Sequence, residues 1–235
     1  MRRESSMTEV SGGMVLDGDG PLLHICTPAR ENSRPTAIYH RVVKPVFDLV
    51  GGLILAVMLL PLILTVAVVV RAKLGKGVIY RQSRVGRNGR PFVMYKFRSM
   101  GPDRRRSEEP FEGRDRRTCH KRDDDPRHTS LGRFLRKSRL DELPQLCNVL
   151  KGNMSLVGPR PELLHVVAGY APWQHERHQL KPGLTGYWQV SDRAAGGLAF
   201  EGVDLDIDYL REVSFLTDCR VLLCTLPVAL RRTGH

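Results

Sequence analysis

The chain has 235 residues and 41% hydrophobic content, enough for one catalytic-size unit with a real core and too short for two large domains. Its five cysteines, Cys26, Cys119, Cys147, Cys219 and Cys224, are odd in number and scattered without a Cys-x-x-Cys pair. That argues against a disulfide framework or a zinc site, and for a reducing compartment. The formal net charge of +12 is concentrated, because residues 71–140 hold twenty-two Lys/Arg against eight Asp/Glu, directly after the most apolar stretch. Such a block serves nucleic acid, anionic membrane or an anionic substrate, and its position favours membrane and substrate.

Residues 1–37 carry Gly12-Gly13, Asp17-Gly18-Asp19-Gly20-Pro21 and no apolar period, the composition of a disordered tail. No charged-then-apolar signal with a small-residue cleavage site is expected there. From Leu49 to Val70 run 22 residues without a charge, where a helix needs about 20 to cross a bilayer core. Pro61, near the middle, removes one helical hydrogen bond and bends the helix. Arg41 and Lys44 precede the stretch; Arg71, Lys73 and Lys76 follow it. Under the positive-inside rule both ends prefer the cytoplasmic side. A bent helix that enters and returns on one side satisfies both tendencies, although ordinary spans also tolerate a Pro kink.

Beyond this stretch, Val78–Arg84 and Pro91–Arg98 flank Arg87-Asn88-Gly89-Arg90, and Asn-Gly between alternating segments predicts a β-hairpin. Residues 102–128, with Arg104-Arg105-Arg106 and Asp123-Asp124-Asp125, are too charged for a core and read as a solvated loop. A helix is expected over Leu131–Arg139, with Leu131, Phe134 and Leu135 on one face. Another is expected from Asp141 to Leu150, where acidic residues and Pro144 suit a first turn and Gly152 a stop. Tyr209–Leu230 is amphipathic in parts, and Phe215, Leu216 and Val221-Leu222-Leu223 suit a membrane surface or a core equally.

The densest run of unusual residues is Leu140–Pro161. Asp141 and Glu142 at a helix start suit the helix dipole with no function at all. The same position supports chemistry: backbone N–H groups there bind phosphate, an ionised Asp attacks phosphorus covalently, and a neighbouring carboxylate holds magnesium through oxygen.

Leu140–Pro161, taken with Lys96-Phe97-Arg98-Ser99-Met100 and Lys181–Val190, resembles the bacterial sugar transferase family over roughly residues 40–228. These are the monotopic polyprenyl-phosphate glycosyl-1-phosphate transferases that initiate exopolysaccharide, capsule and glycoconjugate assembly. The resemblance implies an α+β, helix-rich, monotopic membrane protein with a re-entrant helix kinked at Pro61, a small β-hairpin and amphipathic surface helices. Its parts would be a tail over 1–40, the membrane helix over 41–75 and a catalytic domain over 76–235. That domain would face the cytoplasm from a bacterial inner membrane. Asp141 would be the nucleophile that takes the phosphosugar from a UDP-sugar with release of UMP, and Glu142 would bind Mg2+. Polyprenyl (undecaprenyl) phosphate would then attack the aspartyl-phosphosugar. Two positions depart from the family pattern: Lys44-Pro45 stands where Lys-Arg is common, and Leu60 where Ser usually precedes the helix-bending Pro.

Further candidates surround the acidic pair. Lys96 and Arg98 alternate onto one strand face and suit a diphosphate or lipid phosphate, or simply a solvated face. Gln82 and Arg84 fall in a turn that faces substrate or only shapes the hairpin. Arg139 is placed to neutralise phosphate, Arg160 sits in the stiff Pro159-Arg160-Pro161 turn, and Lys181 lies in a loop near substrate or membrane. Gln189 suits a base or a sugar, as does Trp188 unless it only packs. Asp204, Asp206 and Asp208 imitate a calcium-ligand spacing but lack the following Gly and terminal Glu. Expected partners are a UDP-sugar, polyprenyl phosphate and inner-membrane lipid, and a homo-oligomer is compatible with the sequence. Nucleic acid is not expected, since no helix-turn-helix or RNA-binding motif accompanies the basic block. A basic membrane-anchored binding module and an inactive scaffold are the competing classes, and the intact acidic pair disfavours the second.

Overall fold

The computed structural model describes residues 38–101, 129–191 and 202–230; the expected tail and the charged loop over 102–128 lie outside them. The architecture is helix-rich, with two small sheets of two strands each.

A π-helical turn, Tyr39–Val43, leads into α1, Lys44–Leu74, which ends where Gly75 takes a positive φ of 80°. Lys44, Asp48, Gly52, Leu55, Ala56, Leu59, Ile63, Val66 and Val70 recur at three- and four-residue steps and form one inward stripe. The outward positions, among them Val46, Leu53, Val57, Met58, Leu64 and Val68, are exposed apolar side chains. Among the described residues this is the one helix long and apolar enough to cross a membrane. It continues through Pro61 as a single element, so the expected kink appears as no break. The Thr65 hydroxyl donates to the Pro61 carbonyl at 2.8 Å, a back-bond that also bends helices.

The first turns of α1 are fixed by charge. Lys44 is not a free flanking cation: its ammonium is buried and donates to Asp218 at 2.5 Å and to the Val157 carbonyl at 3.0 Å. Tyr39 and Tyr209 each donate a hydroxyl to Asp218 at 2.6 Å. One turn on, Asp48 accepts from the Ser155 hydroxyl at 2.8 Å and the Leu156 amide at 2.9 Å.

The hairpin forms as expected. Strand β1, Ile79–Val85, pairs antiparallel with β2, Pro91–Phe97, in register Ile79↔Phe97 to Val85↔Pro91. Asn88 (φ 56°) and Gly89 (φ 73°) supply the left-handed pair that a tight turn between right-twisted strands needs. Helix α2, Ser130–Lys137, is capped by the Thr129 hydroxyl, which accepts from the Gly132 amide at 2.9 Å. Leu135 is buried while Phe134 is exposed, so the expected three-residue apolar face is only partly inward.

A 3-10 segment, Leu140–Gln145, then leads into α3, Leu146–Leu150, which stops at Gly152 with φ 74°. Short strands β3, Ser155–Val157, and β4, Gly183–Thr185, pair in parallel. A side chain on Gly158 or Gly183 would overlap the other's backbone, so the two chains meet with nothing between them. Between β3 and β4 lie α4, Leu164–Val167, and a 3-10 stretch, Pro172–Gln179. Helices α5, Tyr187–Val190, α6, Val203–Glu212, and α7, Phe215–Leu230, complete the described chain. Helix α7 has one buried face and one exposed apolar face, so the core reading holds for part of the segment. Asp218 and Val221 are buried, while Phe215, Leu216, Leu223 and Leu226 are exposed. Cys147 and Cys219 are free thiols, whereas Cys224 is disulfide-bonded, which the scattered spacing does not anticipate.

Candidate active site

The acidic pair lies in the 3-10 segment packed against β2, not at the start of the expected long helix. Arg139 separates the segment from α2 by adopting φ 55°, ψ 13°. Six residues of 3-10 helix carry little macrodipole. The electrostatics of the pair therefore come from neighbouring side chains.

Lys96, on β2, donates to Glu142 Oε1 at 2.7 Å. Burial opposes ionisation of Glu142, but Lys96 and Arg160 outweigh it and hold the carboxyl down near about 2. Asp141, 7% exposed, behaves oppositely. Burial, then the adjacent Glu142 charge, push its carboxyl up to about 6, against the weaker pull of Lys96 and Arg136. The two adjacent carboxyls are thus pushed in opposite directions, Glu142 toward the ionised form by its cationic neighbours and Asp141 toward the protonated form by burial and the Glu142 charge.

Glu142 lines a cleft whose walls carry three cations, Arg84, Lys96 and Arg160, and two carboxamides, Gln145 and Gln189, with Met94, Pro161, Gly183 and Leu184 between them. Asp141 is not among the lining side chains. Arg84 is aimed by Gln82, whose Oε1 accepts from Nε at 3.2 Å and Nη2 at 2.8 Å, and by the Pro161 carbonyl at 3.1 Å. Burial, with Arg160 close by, lowers its guanidinium to about 10.

The Pro159-Arg160-Pro161 turn rests on a support that sequence reading missed. Arg177, fully buried, donates to the Arg160 carbonyl at 2.6 Å and to the Tyr170 hydroxyl at 2.7 Å, and forms an ion pair with Asp206 of α6. Asp206 therefore serves Arg177 and not a calcium site.

Of the residues predicted from sequence, Lys96, Arg84, Arg160, Gln189 and Glu142 share the cleft. Gln82 supports it from behind. Arg139 lies outside the lining; burial lowers its guanidinium while Glu142 opposes that shift, so the two groups feel each other. Arg98 is not brought to the cleft: its amide still donates to the Val78 carbonyl at 2.8 Å, and its guanidinium turns to the Lys76 carbonyl at 2.6 Å. Lys181 faces Gly152, and Trp188 packs on Gly202. Pro61 belongs to α1, away from the cleft. Gln145 was missed, because a Gln inside an apolar helix pattern reads as filler.

Among the described residues, no group of three or more His, Cys, Asp and Glu comes together. A metal caged by protein alone does not fit. Magnesium held by Glu142, with the rest of its shell from substrate phosphates and water, does fit, since that ion takes one or two carboxylates in such sites.

The chain belongs to the bacterial sugar transferase family, whose model matches residues 39–232. It is 41% identical over 204 residues to galactosyl transferase CpsE of Streptococcus agalactiae, covering 83% of this chain and 44% of that one. It is 39% identical over 194 residues to the uncharacterized sugar transferase EpsL of Bacillus subtilis, covering 82% and 90%. It is 37% identical over 208 residues to undecaprenyl-phosphate galactose phosphotransferase of Salmonella typhimurium, covering 83% and 42%. The chain thus spans less than half the length of the first and third of these relatives, and nearly all of EpsL.

Proposed function

We propose that the protein transfers a hexose 1-phosphate from a UDP-sugar to a polyprenyl phosphate such as undecaprenyl phosphate, releasing UMP, as the first membrane step of exopolysaccharide or glycoconjugate synthesis. The observation that carries this reading is the adjacent carboxyl pair Asp141 and Glu142, with Glu142 in the wall of a cleft that also carries Arg84, Lys96 and Arg160. The name of the Salmonella relative supports the acceptor and the class of group transferred.

Asp141, ionised above about pH 6, attacks the β-phosphorus of the donor. The bond from that phosphorus to the bridging oxygen breaks, and UMP leaves with the electron pair. A phosphate oxygen of the polyprenyl phosphate then attacks the aspartyl-phosphosugar, and the carboxylate of Asp141 departs unchanged. Arg84, Lys96 and Arg160 offset the negative charge of the diphosphate at each stage. Magnesium, held by Glu142 and donor phosphates, would supply further charge neutralisation. Lys96 donates to Glu142 Oε1 in the structure, so a cation taking that oxygen would leave Lys96 more available to phosphate.

α1 lies in the cytoplasmic leaflet as a re-entrant helix. Its stripe supports this: Asp48 and Gly52 pack on β3 and α3, and Val66 and Val70 pack on Phe97 and Leu135. From Asp48 to Val70 is about 33 Å of helix, roughly a hydrocarbon thickness. A helix spanning that distance would drag part of the catalytic unit through the bilayer, whereas one that stays on one side keeps both ends packed on that unit.

Detergent-solubilised protein, UDP-glucose or UDP-galactose and undecaprenyl phosphate should together release UMP and form a lipid-linked diphosphosugar. Absence of UMP with every UDP-hexose tried would overturn the proposal.

A further inference from the structure

Gln145 and Gln189 are each 3% exposed and line the same cleft. No side-chain hydrogen bond joins either carboxamide to another described residue, and Gln189 Oε1 is fully enclosed without a partner. A buried amide oxygen left without a donor is costly, so Gln189 Oε1 marks a place where a ligand supplies the missing partner, and Gln145 lines the same wall. The backbone confines one of them: a Cβ on Gly186 would stand 3.1 Å from Gln189 Oε1.

We propose that these two carboxamides form the sugar subsite, reading hydroxyl groups of the hexose being transferred; the inference rests on the donor reading above. Three features select the sugar over the rest of the donor. The cations of the cleft match the diphosphate, whereas a carboxamide, uncharged and both donor and acceptor, matches a hydroxyl that is likewise both. Gln145 follows Glu142 by three residues in a 3-10 segment, where side chains three apart eclipse, so it stands directly beside the charged end of the cleft. The sugar is joined through one oxygen to the phosphorus under attack, while ribose and uracil lie beyond the second phosphate. A uracil imide would also match a carboxamide, but it sits at the far end of the donor from the residue next to Glu142.

The test compares Gln145→Met and Gln189→Met, which keep side-chain length, with wild type. Calorimetry measures UDP and several UDP-hexoses, and turnover measures kcat/KM for each sugar. UDP affinity should stay within about twofold, since UDP carries no hexose. kcat/KM for the preferred UDP-hexose should fall at least about tenfold, the scale of a lost polar contact to substrate, and the preference among hexoses should shift. Retained UDP affinity also reports a folded cleft. A parallel loss of UDP affinity would overturn the proposal in favour of nucleobase reading. Unchanged kcat/KM and preference in both variants would overturn it in favour of no contact. If wild type releases no UMP at all, the transfer reading fails instead. Calorimetry then still decides this inference by whether the variants lose the difference between UDP-hexose and UDP.

Discussion

Replacing Asp218 with Asn keeps the shape of the side chain and removes its charge. Lys44 then remains buried with only the Val157 carbonyl at 3.0 Å, while Tyr39 and Tyr209 must share one amide in place of two carboxylate oxygens. Breaking one half of a buried ion pair costs about 3–5 kcal/mol. For a chain of this size each kcal/mol moves the unfolding temperature by about 2–4 °C, so a drop of about 6–20 °C is expected. Wild type and variant are compared at one heating rate by loss of tertiary circular dichroism, because the midpoint of an irreversible transition depends on scan rate. The double variant Lys44→Met/Asp218→Asn removes the stranded ammonium as well and should regain much of the loss. A single-variant drop under about 3 °C, or a double variant less stable than the single, would refute the claim that this ion pair anchors the first turns of α1.

Asp141→Asn should leave the protein folded and reduce transfer by several orders of magnitude, the cost of losing a covalent nucleophile; a tenth of wild-type turnover would reject Asp141 in that role. Because the Asp141 carboxyl is raised to about 6 and must be ionised to attack, kcat/KM should be flat above pH 6 and fall about tenfold per unit below it; a limb near 4 would count against the assignment. Chelation with EDTA should stop turnover and magnesium restore it, and Lys96→Met should tighten Mn2+ binding measured by electron paramagnetic resonance without donor. An unchanged or weaker Mn2+ affinity would mean that Lys96 does not compete for Glu142. Cysteines placed at Arg41 and Lys76, on a background without native cysteines, should both resist an impermeant thiol reagent in intact cells; labelling at one position alone would establish a spanning helix.

Local chemistry was legible in the sequence and long-range pairing was not. The Asn88-Gly89 turn and the Thr129 and Gly152 helix limits are written in neighbouring residues whose backbone preferences decide the outcome. The acidic pair was readable as a motif, but its setting was not, because the chain leaves the left-handed Arg139 as a 3-10 segment where an α-helix start was expected. Arg98 was misplaced since its guanidinium turns to the Lys76 carbonyl, a contact that strand alternation does not reveal. Lys44 looked like a membrane-flanking cation because its partner lies 174 residues away. Arg177 and Asp206 escaped for the same reason: nothing in a charged surface-like sequence announces a buried pair formed between separate elements.

The inward stripe of α1 makes this long apolar helix a structural wall of the folded unit. Gly52 meets Val149, and Val66 and Val70 close the cluster around Phe97 and Leu135. A truncation that begins after Leu74 would strip one side from both core clusters and leave Asp218 without its ammonium. Trimming to a soluble fragment is therefore the wrong route to a working preparation. The cleft can assemble only with α1 in place, so formation of the site is coupled to the docking of this apolar helix on the rest of the chain.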